Sequence, residues 1–434
     1  MNEHGTGTES GRGNISLLPI LSVNFVGTLG FSIVLPFLVF LVTRWGGNAL
    51  IYGLMGATYS FFQLIGAPIL GRWSDRFGRR KILLLSQLGT LISWLIFLTA
   101  FFLPVITINE VNSGSLGQFT ITLPLIILFV ARAADGITGG NVSVANAYMA
   151  DITDDEHRSK DFGQMAVSGN LGFVIGPALA GLLGATIYGE ILPVIAAMFI
   201  SLLATLIIGF GLKDHDPCIL THYPEPRSIR KTFGQEHKEC FVVQSQEKPA
   251  FRMILRMANV PALLVIYFLV MLGFSFFYIG FPVHAVQELG WSVTDAGIFF
   301  SFLSLLMVAV QGPILAKASK IFSGTTLTIF GALMLTAGFS GLFYGSDLTN
   351  FAAAAFIALG NGLMWPSVMA MLSRVAGNQH QGAVQGAASS VGAVASIVGF
   401  VTAGLIYNLL GAWVFVLAAV LILPVIFITP HFSK

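Results

Sequence analysis

Apolar runs follow one another along this chain with only short polar breaks, and their length fixes the first reading. Runs of roughly 18 to 28 residues recur from end to end, and about 20 residues span a bilayer as a helix. Lipid offers no partner to a free backbone amide, so such runs must close their own hydrogen bonds as helices or in a barrel. Barrel strands alternate apolar and polar positions over about ten residues, and no such alternation is present. The pattern predicts spans at residues 16–43, 49–70, 82–104, 121–149, 162–188 and 190–212. Six more are predicted at 259–287, 293–316, 324–344, 348–375, 382–409 and 411–429, after a polar stretch over 213–258. The expected fold is an all-α membrane protein of twelve transmembrane helices. Its divisions are a bundle over 1–212, a cytoplasmic linker over 213–258 and a second bundle over 259–434.

Composition agrees with the pattern and charge orients it. The 434 residues are 55% hydrophobic and only 10% charged, with a mean hydropathy of +0.82. Soluble domains carry about 25% charged residues, so this chain lacks a water-facing surface. The polar first 15 residues do not read as a cleavable signal peptide, and two cysteines make no disulfide framework. Of 22 Lys and Arg, all but Arg44 and Arg132 fall on the side that also holds both termini. By the positive-inside rule both ends are expected in the cytoplasm. The basic residues sit in short loops, so the net charge of +2 implies no nucleic-acid partner.

The two halves repeat. Pro68-Ile-Leu-Gly-Arg-Trp-Ser-Asp-Arg at the end of span 2 aligns with Pro313-Ile-Leu-Ala-Lys-Ala-Ser-Lys-Ile at the end of span 8. Between spans 2 and 3, Gly71-x-x-x-Asp75-Arg76-x-Gly78-Arg79-Arg80 resembles the loop 2–3 signature of the major facilitator superfamily. Arg132 followed by Gly136 resembles its span 4 arginine motif. Gly172 through Gly176-Pro177 to Gly181 resembles its antiporter-type span 5 motif, with Ala180 in place of the usual glycine. Two stretches are similar to tetracycline/H⁺ antiporter-like members: Gly136 through Asp151-Ile-Thr153, and Ala370 through Gln381, Gln385 and Gly399.

The resemblance implies two pseudo-symmetric six-helix bundles and alternating access around a site near the midplane. It also implies a latch, in which Asp75 is held at the start of span 11 near 381–383 and Arg76 or Arg79 pairs with Asp151. The second-half copy has Lys320 in place of Asp75, so the latch is expected on one side only. Gly71 and Gly78 are expected to permit a tight turn.

Charge inside the membrane points to chemistry. Arg132 and Asp135 lie three residues apart in span 4, on one helical face, where an intramembrane ion pair is a functional-site hypothesis. The family places an acid in span 1 at a fixed distance before Pro36; Gly27 stands there, and Asn24 one turn earlier does not titrate. Asp135 is therefore the expected proton carrier, with Arg132 and His284 as further coupling candidates. Expected substrate-cavity residues are Asn24, Asn141, Asn146, Asn361, Phe277, Phe281 and Trp365, with Gln63, Gln164, Asn170, Gln311 and Gln385 as weaker ones. The aromatic residues suit a lipophilic or planar solute.

In the linker, His215-x-x-Cys218 and His237-x-x-Cys240 have a spacing compatible with a zinc site, although plain loop coincidence explains it as well. No nucleotide-binding or hydrolase motif is present, so no enzyme activity and no cofactor beyond coupling protons is expected. The chain is expected to act as a monomer in a bacterial inner (plasma) membrane, exporting a small lipophilic or amphiphilic solute against protons. The alternatives are a uniporter or importer without coupling through span 1, and a receptor that carries no flux.

Overall fold

The computed structural model describes residues 17–34, 37–139, 141–152, 158–212 and 254–432. His215, Cys218, His237 and Cys240 lie outside the described residues.

Nearly all described residues are helical, and the helices follow the apolar runs. Ten are long and apolar enough to cross a membrane: Ala49–Ser74, Arg79–Thr99, Val167–Gly184, Ile191–Gly211, Val260–Gln287, Val293–Ala318, Gly324–Tyr344, Asp347–Val375, Gly386–Leu410 and Trp413–Phe432. Span 1 appears as Leu18–Ser32 followed by Leu38–Arg44, and span 4 as Leu123–Thr138 followed by Asn141–Ile152. Both predicted spans are thus divided where the sequence suggested one helix.

Local chemistry sets the boundaries. Asn48 caps span 2 by accepting a hydrogen bond from the Ile51 amide at 3.1 Å. The helix then runs to Phe77, so Gly71 lies inside it and takes no part in a turn. Gly78 alone makes the reversal into Arg79–Thr99, at φ +98°, where only glycine is unstrained. Ser292 and Asp295 form a capping box at the start of span 8, and Ser346 with Thr349 does the same for span 10.

Three features depart from the sequence reading. Residues expected to be loop between spans 3 and 4 form an antiparallel hairpin, β1 (Thr107–Ser113) and β2 (Gly117–Thr122). Spans 6 and 8 each contain a π-helical turn, at Ile207–Gly211 and Val310–Ile314. The second contains Pro313, whose missing amide loosens the ladder. Backbone from Asp347 to Leu410 is helical throughout, so spans 10 and 11 share no extended loop. His284 meets Tyr407 near one end of this segment and Gly345 just before the other, so the chain doubles back between them.

The two halves meet where glycines let backbones touch. A side chain at Gly53 would collide with the Phe400 carbonyl, and one at Gly404 with the Ala49 carbonyl, which joins span 2 to span 11. Gly181 and Gly297 join span 5 to span 8 in the same way. All four contacts lie toward the hairpin end of the molecule. Toward the signature-loop end, a side chain at Gly71, Gly312 or Gly386 would meet nothing within 4 Å. The described helices are therefore packed together across the hairpin end.

Candidate functional site

The site is built around span 4, and small residues place it. Gly66 and Gly136 bring the backbones of spans 2 and 4 into contact, the first against Ile137 and the second against Tyr59. Gly89 lets span 3 close on Thr138, and the Ser86 hydroxyl donates to the Thr138 carbonyl. Span 4 is thus held on two sides.

That grip sets Arg132 over the ring of Tyr59, its guanidinium carbon 4.5 Å from the centroid. Arg132 Nη1 reaches Asp135 Oδ2 at 3.5 Å, which realises the pair expected from the spacing. The distance is at the long limit of a hydrogen bond, so the pair is loose. Arg132 Nε is buried and has no hydrogen-bond partner among the described residues. Thr90 from span 3 lines the same cavity as the Asp135 carboxylate. A buried charge so incompletely paired is costly and persists where it has work to do.

Asp135 opens on a cavity of about 190 Å³. Its other walls include Tyr59 and Gln63 from span 2, Gln87, Thr90 and Trp94 from span 3, and Ser201 from span 6. Gln63 donates to the Tyr59 hydroxyl at 3.1 Å and to the Gly139 carbonyl at 3.2 Å, and Gln87 donates to Ser201 Oγ at 2.8 Å. Gly27 of span 1 lines the same cavity. The position of the family's span 1 acid and the acid this chain carries in span 4 thus face one space. Sequence reasoning missed Tyr59, Thr90 and Gln87. The one available signal was the spacing of Tyr59 and Gln63, one helical turn apart.

The remaining candidates are scattered. Asn24 donates to the Met165 carbonyl at 2.7 Å and to Ser168 Oγ at 2.9 Å, which ties span 1 to span 5 and leaves it outside the cavity wall. Phe277 and Phe281 are fully buried in a cluster of rings with Phe339, Phe299, Phe300 and Phe415. Trp365 packs on Tyr267, and Asn361 points its amide at the Met307 sulfur. Buried His284 has Nδ1 3.2 Å from the Tyr407 hydroxyl and Nε2 without a partner among the described residues. None of these second-half residues lines the Asp135 cavity. The side chains of Asn141, Asn146, Gln385, Asp75 and Asp151 lie outside the described residues.

The signature loop is described in part. Arg76 lies over the Phe77 ring, Arg79 donates to Ser74 Oγ at 2.7 Å, and Arg80 donates to the Ile208 and Gly209 carbonyls. Those carbonyls belong to the π-turn ending span 6, where the α-helical ladder no longer engages them. In the span 5 motif, Gly172 and Gly176 seat span 1, with the Ser32 hydroxyl donating to the Gly172 carbonyl at 2.9 Å; Gly181 seats span 8.

Among the described residues ten apolar helices are long enough to cross a membrane, and the first half of the chain holds a buried ion pair, which defines a multi-pass membrane protein. Residues 20–399 match the family model of the Major Facilitator Superfamily. The chain belongs to this superfamily, and it is a transporter rather than an enzyme. It is 29% identical over 392 residues to the class C tetracycline resistance protein of Escherichia coli, covering 89% of this chain and 88% of that protein. It is 26% identical over 402 residues to multidrug resistance protein 2 of Bacillus subtilis, with 90% and 88% covered. Among solved structures it resembles the human organic anion transporter MFSD10 with a TM-score of 0.65 at 21% identity, over 95% of this chain and 98% of that one. At that identity the likeness is one of fold.

Proposed function

We propose that this transporter is a proton-coupled exporter of small lipophilic or amphiphilic solutes, working by alternating access, with Asp135 as the group that takes up and releases the proton. The observation that carries the reading is the shared cavity: Asp135 and Gly27 line one space, so a carboxylate in span 4 serves where the family's span 1 acid is missing. Movement that changes the distance between Arg132 and Asp135 couples this pair to proton uptake and release. At about 190 Å³ the cavity is smaller than the roughly 300–1,000 Å³ of drug-sized pockets. It suits a proton and water rather than a whole drug-sized solute.

The charge asymmetry supports an orientation in which the signature loop and both termini are cytoplasmic and the hairpin faces the other side. The chain acts as a monomer of two bundles, 1–212 and 259–434, around the 213–258 linker. The loop 2–3 latch through Asp75, Arg76 or Arg79 and Asp151 biases the two conformations. The linker cysteines and histidines carry no part of this reading.

The test uses everted membrane vesicles and a panel of lipophilic dyes and drugs. Imposing an acid-inside pH gradient drives accumulation, and adding substrate dissipates the gradient. Transport down a solute gradient that is indifferent to pH would favour the uniporter reading, which the glycine at position 27 keeps in view.

A further inference from the structure

The hairpin between spans 3 and 4 crosses from one half of the protein to the other, and its tip is bonded to both. The Leu116 carbonyl accepts from Asn48 Nδ2 at 3.0 Å and from Asn408 Nδ2 at 3.1 Å. Asn48 begins span 2 in the first half, while Asn408 ends span 11 in the second. Gly117 next to it has φ +75°, and a side chain there would press on both amides, at 3.0 Å from Asn48 and 3.4 Å from Asn408. The rest of the hairpin bonds to the first half. The Thr120 amide donates to the Gly46 carbonyl at 2.8 Å and the Thr122 hydroxyl to the Trp45 carbonyl at 2.9 Å. Among the described residues the anchored arm ends in a hydrogen bond to Asn408 of the opposite half.

We infer that the hairpin is a strap that holds the hairpin end of the transporter closed, and that Asn408 is the positioning residue through which it holds. This rests on the alternating-access reading. When spans 2 and 11 part at this end, the strap stays with the first half and the Asn408 bond breaks. Asn48 remains occupied in both states, because its other side-chain atom caps span 2. The strap adds a polar, reversible contact to the glycine contacts of Gly53 and Gly404 beneath it. One net hydrogen bond weights the closed state by roughly threefold to tenfold, enough to hold it while leaving it reversible.

The experiment measures the gap directly. Spin labels are placed through Thr43→Cys and Leu409→Cys in a Cys218→Ser, Cys240→Ser background, and the distance distribution is recorded by double electron–electron resonance. A dominant short distance is expected with the strap intact. Asn408→Ala, and Asn408→Asp, which keeps the shape but has no donor, should each raise the long-distance fraction by about threefold to tenfold. Gly117→Ala, which deforms the tip, should move it the same way. Two distances with unchanged weights in Asn408→Ala and Asn408→Asp would overturn the strap and leave alternation standing. A single distance in every variant would overturn both.

Discussion

Single residues decide how the helices of this transporter touch. Gly176 is packed so closely on span 1 that a methyl group there would collide with the Ser32 hydroxyl. Gly176→Ala should lower the melting temperature of the purified protein, with an overpacking cost of about 1–3 kcal/mol, and adding Ser32→Ala should recover part of it. Gly78, at φ +98°, is the other sensitive glycine. Gly78→Ala should cost about 1–3 kcal/mol in the same assay, whereas Gly71→Ala, within a helix and with open space around it, should be neutral or slightly stabilising. The signature's two glycines therefore differ, although the sequence presents them alike. The Arg132–Asp135 pair was legible because helical spacing alone puts i and i+3 together. The ring of Tyr59 beneath Arg132 was not, since it comes from another helix through the contact of Tyr59 with Gly136.

Elements carry a second layer of information that apolar periodicity does not contain. Span positions followed from run length, but the hairpin did not. Its strands are half-exposed and polar, and they are fixed by distant bonds such as Thr120 to Gly46 and Asn408 to Leu116. The π-turn at the end of span 6 is equally silent in sequence, yet it explains Arg80. That side chain engages carbonyls the turn releases, so Arg80→Ala should destabilise the protein by about 1–3 kcal/mol, with Arg80→Lys recovering only part, because one ammonium does not reproduce a forked donor. Thermal denaturation monitored by tryptophan fluorescence distinguishes the three proteins. Span 7 taught the opposite lesson. Its phenylalanines read as a cavity wall, but Phe277 and Phe281 stack with rings of spans 8, 9 and 12, because a helix apolar on all sides gives no clue to which face meets solute. The latch belongs at this scale too: Asp75→Asn should impair transport far more than Lys320→Ala at equal expression, since the second half lacks the rest of the motif.

Across the whole molecule, the charge asymmetry, the repeat and the family motifs define a carrier with two related halves, and the structure shows how those halves meet. Glycine contacts and the hairpin close one end. The proposed proton site lies inside the first half, and the proposed coupling requires that movement of spans 1 to 6 changes the distance between Arg132 and Asp135. The sequence pointed to Asp135 by elimination, and only the fold brings Gly27 to the same cavity. That juxtaposition makes the account testable by moving the charge. In everted vesicles under an imposed pH gradient, Asp135→Asn should reduce gradient-driven accumulation at least about tenfold, and the double variant Asp135→Asn, Gly27→Asp should recover a substantial part of it. Full gradient-driven transport by Asp135→Asn alone would contradict the assignment.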